Sequence, residues 1–429
     1  MNVPRRAVLA MLGLVAVLPA CAAAPPELVT APGVERVSLD ADAYRAEIDV
    51  LRTSAYTLGA ALLADGGDGA AGGDGAAGNV VASPGSLLTA LLMLRSGAGG
   101  GAAAELDRVL ALPGTTRDEA ANAMLAAVEK YDGDPGAVDE DNPPRKPVIH
   151  LANGLFLDRN TPVGEGYLAG LARHYGAGVH LVDFRDRAAA EPAIDAWVDR
   201  NTGGRITKAP AKFDTRNTFS LLNALYFAAA WNTPFDPADT TDRPFTTGSG
   251  DVASVPTMSQ AGGAKYAGGE GWRAVDLPYA EGAVMRLVLP APGAPATLSA
   301  DQLARIGAAL ESASVQPVRI TLPRWDHESS FDLRKVMEAM GLSRTLTTET
   351  DFDAIQPGLK LTQAAQAANI TVAEKGTVAA AVTQLNGRAV SAPPEPAISI
   401  AFDRPFHYQI VHSGTGLPLF MGKVADPRS

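Results

Sequence analysis

Val372-Ala-Glu-Lys-Gly-Thr-Val-Ala-Ala-Ala-Val-Thr-Gln-Leu-Asn-Gly-Arg-Ala-Val-Ser391 begins as a strand and passes through a run of small residues. It ends in a polar, glycine-containing segment before Pro393-Pro394. Side chains in a strand alternate between faces. From Thr377, one face therefore carries Thr377, Ala379, Ala381 and Thr383, and the other carries Val378, Ala380, Val382 and Gln384. No charge on either face forbids burial, so the segment can be an exposed loop in one state and a central strand in another. An alanine-rich helix is the competing reading, because Ala is the best helix former. Against it stand Gly376 and Gly387, together with the β-branched Thr377, Val378, Val382 and Thr383, which are stiff in a helix. A helical tendency in a loop would not prevent strand formation later.

The chain has 429 residues, 46% of them hydrophobic, enough for one large core or two ordinary ones. It carries 36 basic and 47 acidic residues, a formal charge of −11. No basic cluster of the kind used on nucleic acid is present, and the acidic balance favours solubility. The single cysteine excludes an intrachain disulfide. That cysteine is Cys21. Arg5-Arg6, the apolar run from Ala7 to Leu18 and then Pro19-Ala20-Cys21 describe an export signal over residues 1–21. Leu18-Pro19-Ala20-Cys21 also resembles a bacterial lipobox, with Pro19 off pattern, which makes Cys21 a candidate lipidation site. An ordinary cleaved signal is the alternative. Twin-arginine export is suggested by Arg5-Arg6. The apolar run is short for a transmembrane helix. The expected location is outside the cell, free or lipid-anchored on the outer face of the membrane.

Further along, Ala/Pro-rich residues 22–39 are expected to be a flexible tether, and residues 40–429 a single domain. Asp40–Leu63 has helix-spaced apolar residues. Ala64–Gly78 is a Gly/Ala/Asp run expected to be a surface insertion, its aspartates too few and irregular for calcium. Asn79-Val-Val-Ala-Ser-Pro-Gly-Ser86 reads as a short strand followed by a helix capped by Ser83, with Pro84 in its first turn. Asp132–Lys146 is a second polar interruption. His150–Leu157 and Thr218–Trp231 read as buried strands, and Ala188–Asn201 as a helix with Gly203-Gly204 beyond its end.

Several of these pieces resemble the serpin family of serine protease inhibitors. Glu374-Lys-Gly-Thr-Val-Ala-Ala-Ala381 is similar to the proximal hinge of an inhibitory serpin's reactive loop, with Val378 where the family often has Glu. The closing motif appears as Asp403-Arg-Pro-Phe406 and Pro418-Leu-Phe-Met-Gly-Lys-Val-Ala-Asp-Pro427. Asn79–Ser86 resembles the family's Asn-x-x-x-Ser-Pro-x-Ser motif. Asn223-Ala-Leu-Tyr-Phe227 with Trp231 resembles its strand motif, with Ala228-Ala229 replacing Lys-Gly. Shorter matches include Val255-Pro-Thr-Met258, Leu277-Pro-Tyr279, Leu322-Pro-Arg-Trp325 and Asp351-Phe352. The resemblance runs colinearly from about Asp40 to Pro427. It implies an α+β serpin fold: large mixed β-sheets, surrounding helices and an exposed reactive centre loop.

The resemblance also implies a mechanism without catalysis. The loop would be attacked by a serine protease, and its hinge, Glu374, Lys375, Gly376, Thr377, Val378, Ala379, Ala380 and Ala381, would enter the large sheet as a new strand before deacylation. Counted from Glu374 as in the family, the reactive bond is Val390–Ser391, which suits an elastase-like or subtilisin-like protease; a shifted register gives Arg388–Ala389 and a trypsin-like one. Ser83, Ser86 and Asn223 match the family's polar cluster under the sheet, with Gln366 where a histidine is common. Trp231 and Glu374 match the top of the sheet, with Arg324 a candidate partner of Glu374. Each could equally be ordinary packing or capping. No cofactor or metal is expected, because the six histidines are scattered and His327-Glu328 lacks a second histidine. No nucleophile motif appears. The chain is read as a monomeric inhibitor with no enzymatic activity, no nucleic-acid partner and membrane contact only through an N-terminal lipid. Helix Thr116–Tyr131 is not basic, so heparin-like activation is not expected. The alternatives are a non-inhibitory serpin (a carrier or structural protein) and, less favoured, an exported hydrolase.

Overall fold

The computed structural model describes residues 24–69, 78–112, 114–210, 213–295, 297–377 and 398–428. Its strands are β1 (Glu27–Val29), β2 (Asp68–Gly69), β3 (Val80–Ala82), β4 (Val148–Asp158), β5 (Val179–Val182), β6 (Phe219–Ala230), β7 (Thr241–Thr246), β8 (Val252–Gly269), β9 (Trp272–Pro278), β10 (Ala283–Pro290), β11 (Val315–Pro323), β12 (Trp325–Asp332), β13 (Gln363–Ala373), β14 (Gly376–Thr377), β15 (Ile398–Ala401), β16 (Phe406–His412) and β17 (Pro418–Val424). The helices are α1 (Arg45–Asp65), α2 (Pro84–Ser96), α3 (Gly100–Val109), α4 (Arg117–Glu129), α5 (Glu165–Gly170), α6 (Arg187–Asn201), α7 (Ala300–Ser312), α8 (Leu333–Ala339) and α9 (Ser343–Thr347).

Two sheets organise the chain. The first runs β1-β5-β4-β6-β14-β13-β12-β2, and the second runs β15-β11-β8-β9-β10-β16-β17-β3, with β7 paired to β8. Both mix parallel and antiparallel neighbours, as in β4 beside β5 and β4 beside β6. Together with the helices this is the expected α+β architecture. All twelve residues of β6 are buried, because both faces of the first sheet are covered there. On one face Leu221, Leu225 and Phe227 join the main core shared with α2. On the other, Leu222 and Ala224 pack with Ile194, Trp197 and Val198 of α6, and Ala365 of β13 reaches the same cluster. Each of Ile194, Val198 and Leu222 contributes roughly 2 kcal/mol by leaving water, which holds α6 against the sheet.

Helix α2 lies deep in the core, with Pro84 through Leu94 all buried. Its start needs an internal partner for its free N–H groups: the Ser83 side chain accepts from Ser86 N, and Pro84 opens the first turn. At the far end of α1, Gly66 adopts φ 81° and its N–H returns to Leu62 O, so a residue free to be left-handed ends that helix.

Two expectations are corrected at the sheet's outer strands. The segment read as a flexible tether is docked. Glu27–Val29 pairs antiparallel with Val179–Leu181, Arg36 pairs with Glu129, and Leu39 N donates to Asn122 Oδ1. The three-residue strand adds its ladder to an otherwise unpaired edge of β5. Likewise the run from Ala64 is not wholly outside the fold, since Asp68 and Gly69 pair with Ser330 and Ser329 of β12. Among the described residues, no helix is long and apolar enough to cross a membrane.

Candidate functional site

Glu374, Lys375, Gly376 and Thr377, the described residues of the expected hinge, sit at the top of the first sheet, between β6 and β13. The chain leaves β13 at Ala373, turns at Glu374-Lys375 and returns as β14. There Gly376 stands opposite Ala230 and Ala373, and Thr377 opposite Ala229 and Val372. The backbones approach so closely that a Cβ on Gly376 would lie 2.1 Å from Ala229 O, so only glycine fits. Thr377 is buried, and its hydroxyl lies 2.5 Å from the Tyr279 hydroxyl. Burial pushes the Tyr279 phenol well above its ordinary range, so it stays neutral.

Below this point β6 and β13 pair directly and in parallel, from Gln363–Ser220 to Ala367–Ala224. Among the described residues, the pairings between these two strands do not extend to Leu225–Ala228 or Ala368–Thr371. The two strands are thus closed at the bottom and wedged at the top.

Trp231 and Glu374 fix the wedge. Trp231 N donates to Lys375 O and its indole Nε1 to Ala373 O, both at 2.9 Å, while the ring stacks on Tyr279 at 4.5 Å. Glu374 is buried and accepts from Thr240 Oγ1 at 2.6 Å and from Arg324 Nε at 2.7 Å, with Arg324 Nη2 also in contact. Glu374 O accepts from Phe235 N, and Lys375 Nζ donates to Asp141 O at 2.7 Å.

Ser83, Ser86, Asn223 and Gln366 come together under the β6–β13 junction. Gln366 Nε2 donates to Ser83 O at 2.9 Å and its Oε1 accepts from Ser83 N at 2.8 Å, so the glutamine closes a two-way bond with α2's cap. Ser86 Oγ and Asn223 Nδ2 both donate to Asn153 Oδ1 on β4. Asn223 Oδ1 is buried with no partner among the described residues, an unusual state for a buried carbonyl oxygen. Asn153, Thr240 and Tyr279 are the members that the sequence reading missed. Asn153 left a trace there, as an amide inside the otherwise apolar strand Leu151-Ala-Asn-Gly-Leu-Phe156.

Val378, Ala379, Ala380, Ala381, Arg388, Ala389, Val390, Ser391 and Cys21 lie outside the described residues. Among the described residues, no group of three or more His, Cys, Asp or Glu is placed to hold a metal ion. His327, His407 and His412 are buried singly, and burial holds them near 4, 3 and 4 respectively, so they are neutral.

A family model described as "Serpin (serine protease inhibitor)" matches residues 71–427. Among curated proteins, the chain is similar to an uncharacterised serpin-like protein of Thermococcus kodakarensis. The two are 32% identical over 362 residues, 82% of this chain and 81% of that one. It is also similar to alpha-1-antiproteinase of Rattus norvegicus, 29% identical over 287 residues, 65% of this chain and 68% of that one. Among solved structures it shares its fold with the thermophilic serpin Tengpin in the native state, at TM-score 0.75 and 22% identity, covering 93% of this chain and 97% of that one. Thyroxine-binding globulin in complex with thyroxine gives TM-score 0.73 and 23% identity, covering 89% and 99%. The chain therefore belongs to the serpin family.

Proposed function

We propose that this serpin inhibits a serine protease by suicide insertion. The protease cleaves the exposed loop and is held as an acyl-enzyme while the freed hinge enters the first sheet. One observation carries this reading: β14 already lies between β6 and β13 in register. Continuing that register, position 379 would stand opposite Phe227 and Ile370, 381 opposite Leu225 and Ala368, and 383 opposite Asn223 and Gln366. Ala379, Ala381 and Thr383 then share the core-facing side with Thr377. Thr383 comes opposite Asn223 and Gln366, where a hydroxyl can donate to the unpartnered Asn223 oxygen. In that register small residues and one polar residue would face the core.

The reactive bond is Val390–Ser391, cut by an elastase-like or subtilisin-like protease acting on a monomeric inhibitor, with Arg388–Ala389 and a trypsin-like protease as the second choice. Incubation with a panel of serine proteases is expected to give a covalent adduct that survives boiling in detergent, with a new N-terminus at Ser391. Loop cleavage without an adduct across the whole panel would favour a non-inhibitory serpin. That second reading has its own support in a cavity of about 690 Å³ against α1 and the second sheet, lined by Arg45, Arg52, Asp276, Arg286 and Glu311. We also propose export with a lipid on Cys21, resting on Arg5-Arg6 and the apolar run before the cysteine. Mass spectrometry of the exported protein should find Cys21 as an acylated N-terminus, and an unmodified N-terminus would discard the anchor.

A further inference from the structure

His150 on β4 joins three parts of the molecule on the sheet face covered by α6. Its Nδ1 lies 2.8 Å from Asp132 Oδ1, on the connection between α4 and β4. Its Nε2 lies 2.9 Å from Asn201 Oδ1, at the last residue of α6. The Asn201 amide is oriented, because its Nδ2 donates to Trp197 O at 2.6 Å, so the atom facing His150 is the acceptor. Asp132 offers only acceptors as a carboxylate. Both ring nitrogens can donate at once only in the imidazolium, and a neutral ring must lose one of the two bonds.

What His150 holds down lies across the path of the new strand. Just beyond α6, Arg205 Nη1 donates to Asn369 Oδ1 at 2.9 Å and to Thr371 Oγ1 at 3.0 Å, both on β13. Arg205 Nη2 pairs with Glu140 at 2.9 Å, on the same α4–β4 connection as Asp132. In the continued register, Val378 and Ala380 would stand next to Thr371 and Asn369, directly under this guanidinium. Val382 and Gln384 would face the cluster where Ile194, Trp197 and Val198 rest on Leu222 and Ala224. A new strand also moves β13 away from β6 by about 4.8 Å where the two now pair directly, and the cluster under α6 spans both strands through Leu222, Ala224 and Ala365. The C-terminal end of α6 must therefore lift for the strand to enter.

We propose that His150 is a proton-operated latch on the C-terminal end of α6: protonated, it clamps α6 to the sheet and slows strand insertion, and deprotonated, it lets the helix lift. Burial pushes the imidazole's proton affinity down. The bonds to Asp132 and Asn201, with the charges of Asp132 and Asp134, outweigh this and hold it above its ordinary 6.5. Bonding to His150 in turn holds the Asp132 carboxyl below its ordinary value. On the neighbouring strand Tyr226 stands opposite His150, raised by burial to about 12 and uncharged at these pH values, with Arg205 and Glu140 beside it. With the folded value raised, the clamp is complete below the ordinary histidine range and is lost as pH rises through the raised value.

The inference rests on the insertion reading, so the test uses insertion without a protease. A peptide with the sequence of residues 376–389, acetylated and amidated, is annealed into the uncleaved protein, and its incorporation is followed on native gels. Incorporation into the natural chain is expected to be about fivefold faster at about pH 8.5 than at about pH 6, the size of one weak, half-exposed charged contact. In His150→Gln the ratio should fall to near one, and in Asn201→Ala, which removes one acceptor, it should fall by at least half. A ratio unchanged in both variants would overturn the latch while leaving insertion intact. No incorporation at either pH, in any variant, would overturn the insertion reading and the latch with it.

Discussion

Cutting the loop anywhere between Gln384 and Ser391 is expected to raise the unfolding temperature by at least about 15 °C. The uncleaved first sheet holds two residues of the new strand, and ten or so more can follow. Each adds ladder hydrogen bonds worth ~1 kcal/mol net, on the order of ten in all, besides buried side-chain area. That sum matches the whole stability of an ordinary domain, and on the proposed mechanism it would also be the work available to deform a protease. The measurement is a melting curve before and after limited proteolysis. An unchanged or lower midpoint in the cleaved form would mean that no strand is inserted, leaving a serpin in shape only.

Thr377→Arg is expected to turn the inhibitor into a substrate. Thr377 is 1% exposed and its hydroxyl meets Tyr279, itself stacked on Trp231. A guanidinium in that place has no acid within the contacts seen there, and burying it unpaired costs several kcal/mol. The hinge should back out of the sheet in the uncleaved protein with little change in its melting point, because only the two pairs of β14 are lost. The cut loop should then insert too slowly to trap the protease. On a denaturing gel the adduct disappears while the cleaved band grows. An undiminished adduct with Arg at 377 would show that Thr377 does not face the core during insertion.

Much of the fold could be read in the sequence because its signals are local. The hinge is a short run whose small residues and glycine answer to close backbone approach. The Asn79–Ser86 segment carries its own cap, and β4, β6 and α6 announce themselves by apolar pattern. Glu27–Val29 was hidden because a three-residue strand among Ala and Pro has no period, and its partner lies about 150 residues away at Val179–Leu181. Asp68–Gly69 was hidden for the same reason, with its partner on β12. Within the site, Glu374 and Gln366 stood in recognisable positions, whereas Thr240, Tyr279 and Asn153 gain their roles only from neighbours that the chain brings from afar. His150 is the sharpest case. Its sequence neighbours are apolar, and its meaning comes from Asp132 and Asn201 on two other segments.

The two pairs made by Gly376 and Thr377 settle phase. A strand sliding into a sheet can seat itself one residue out of step, which would send its small side chains to the wrong side and its larger ones into the core. Nucleation and choice of step are usually the same slow event. Here Thr377 is already seated against Val372 and Ala229 in the uncleaved chain, so the proposed insertion would start with both complete. On the proposed mechanism only propagation would remain after cleavage, like a zipper whose slider is already engaged. The race against deacylation would then depend on how fast the sheet parts, and not on a search for the correct alignment.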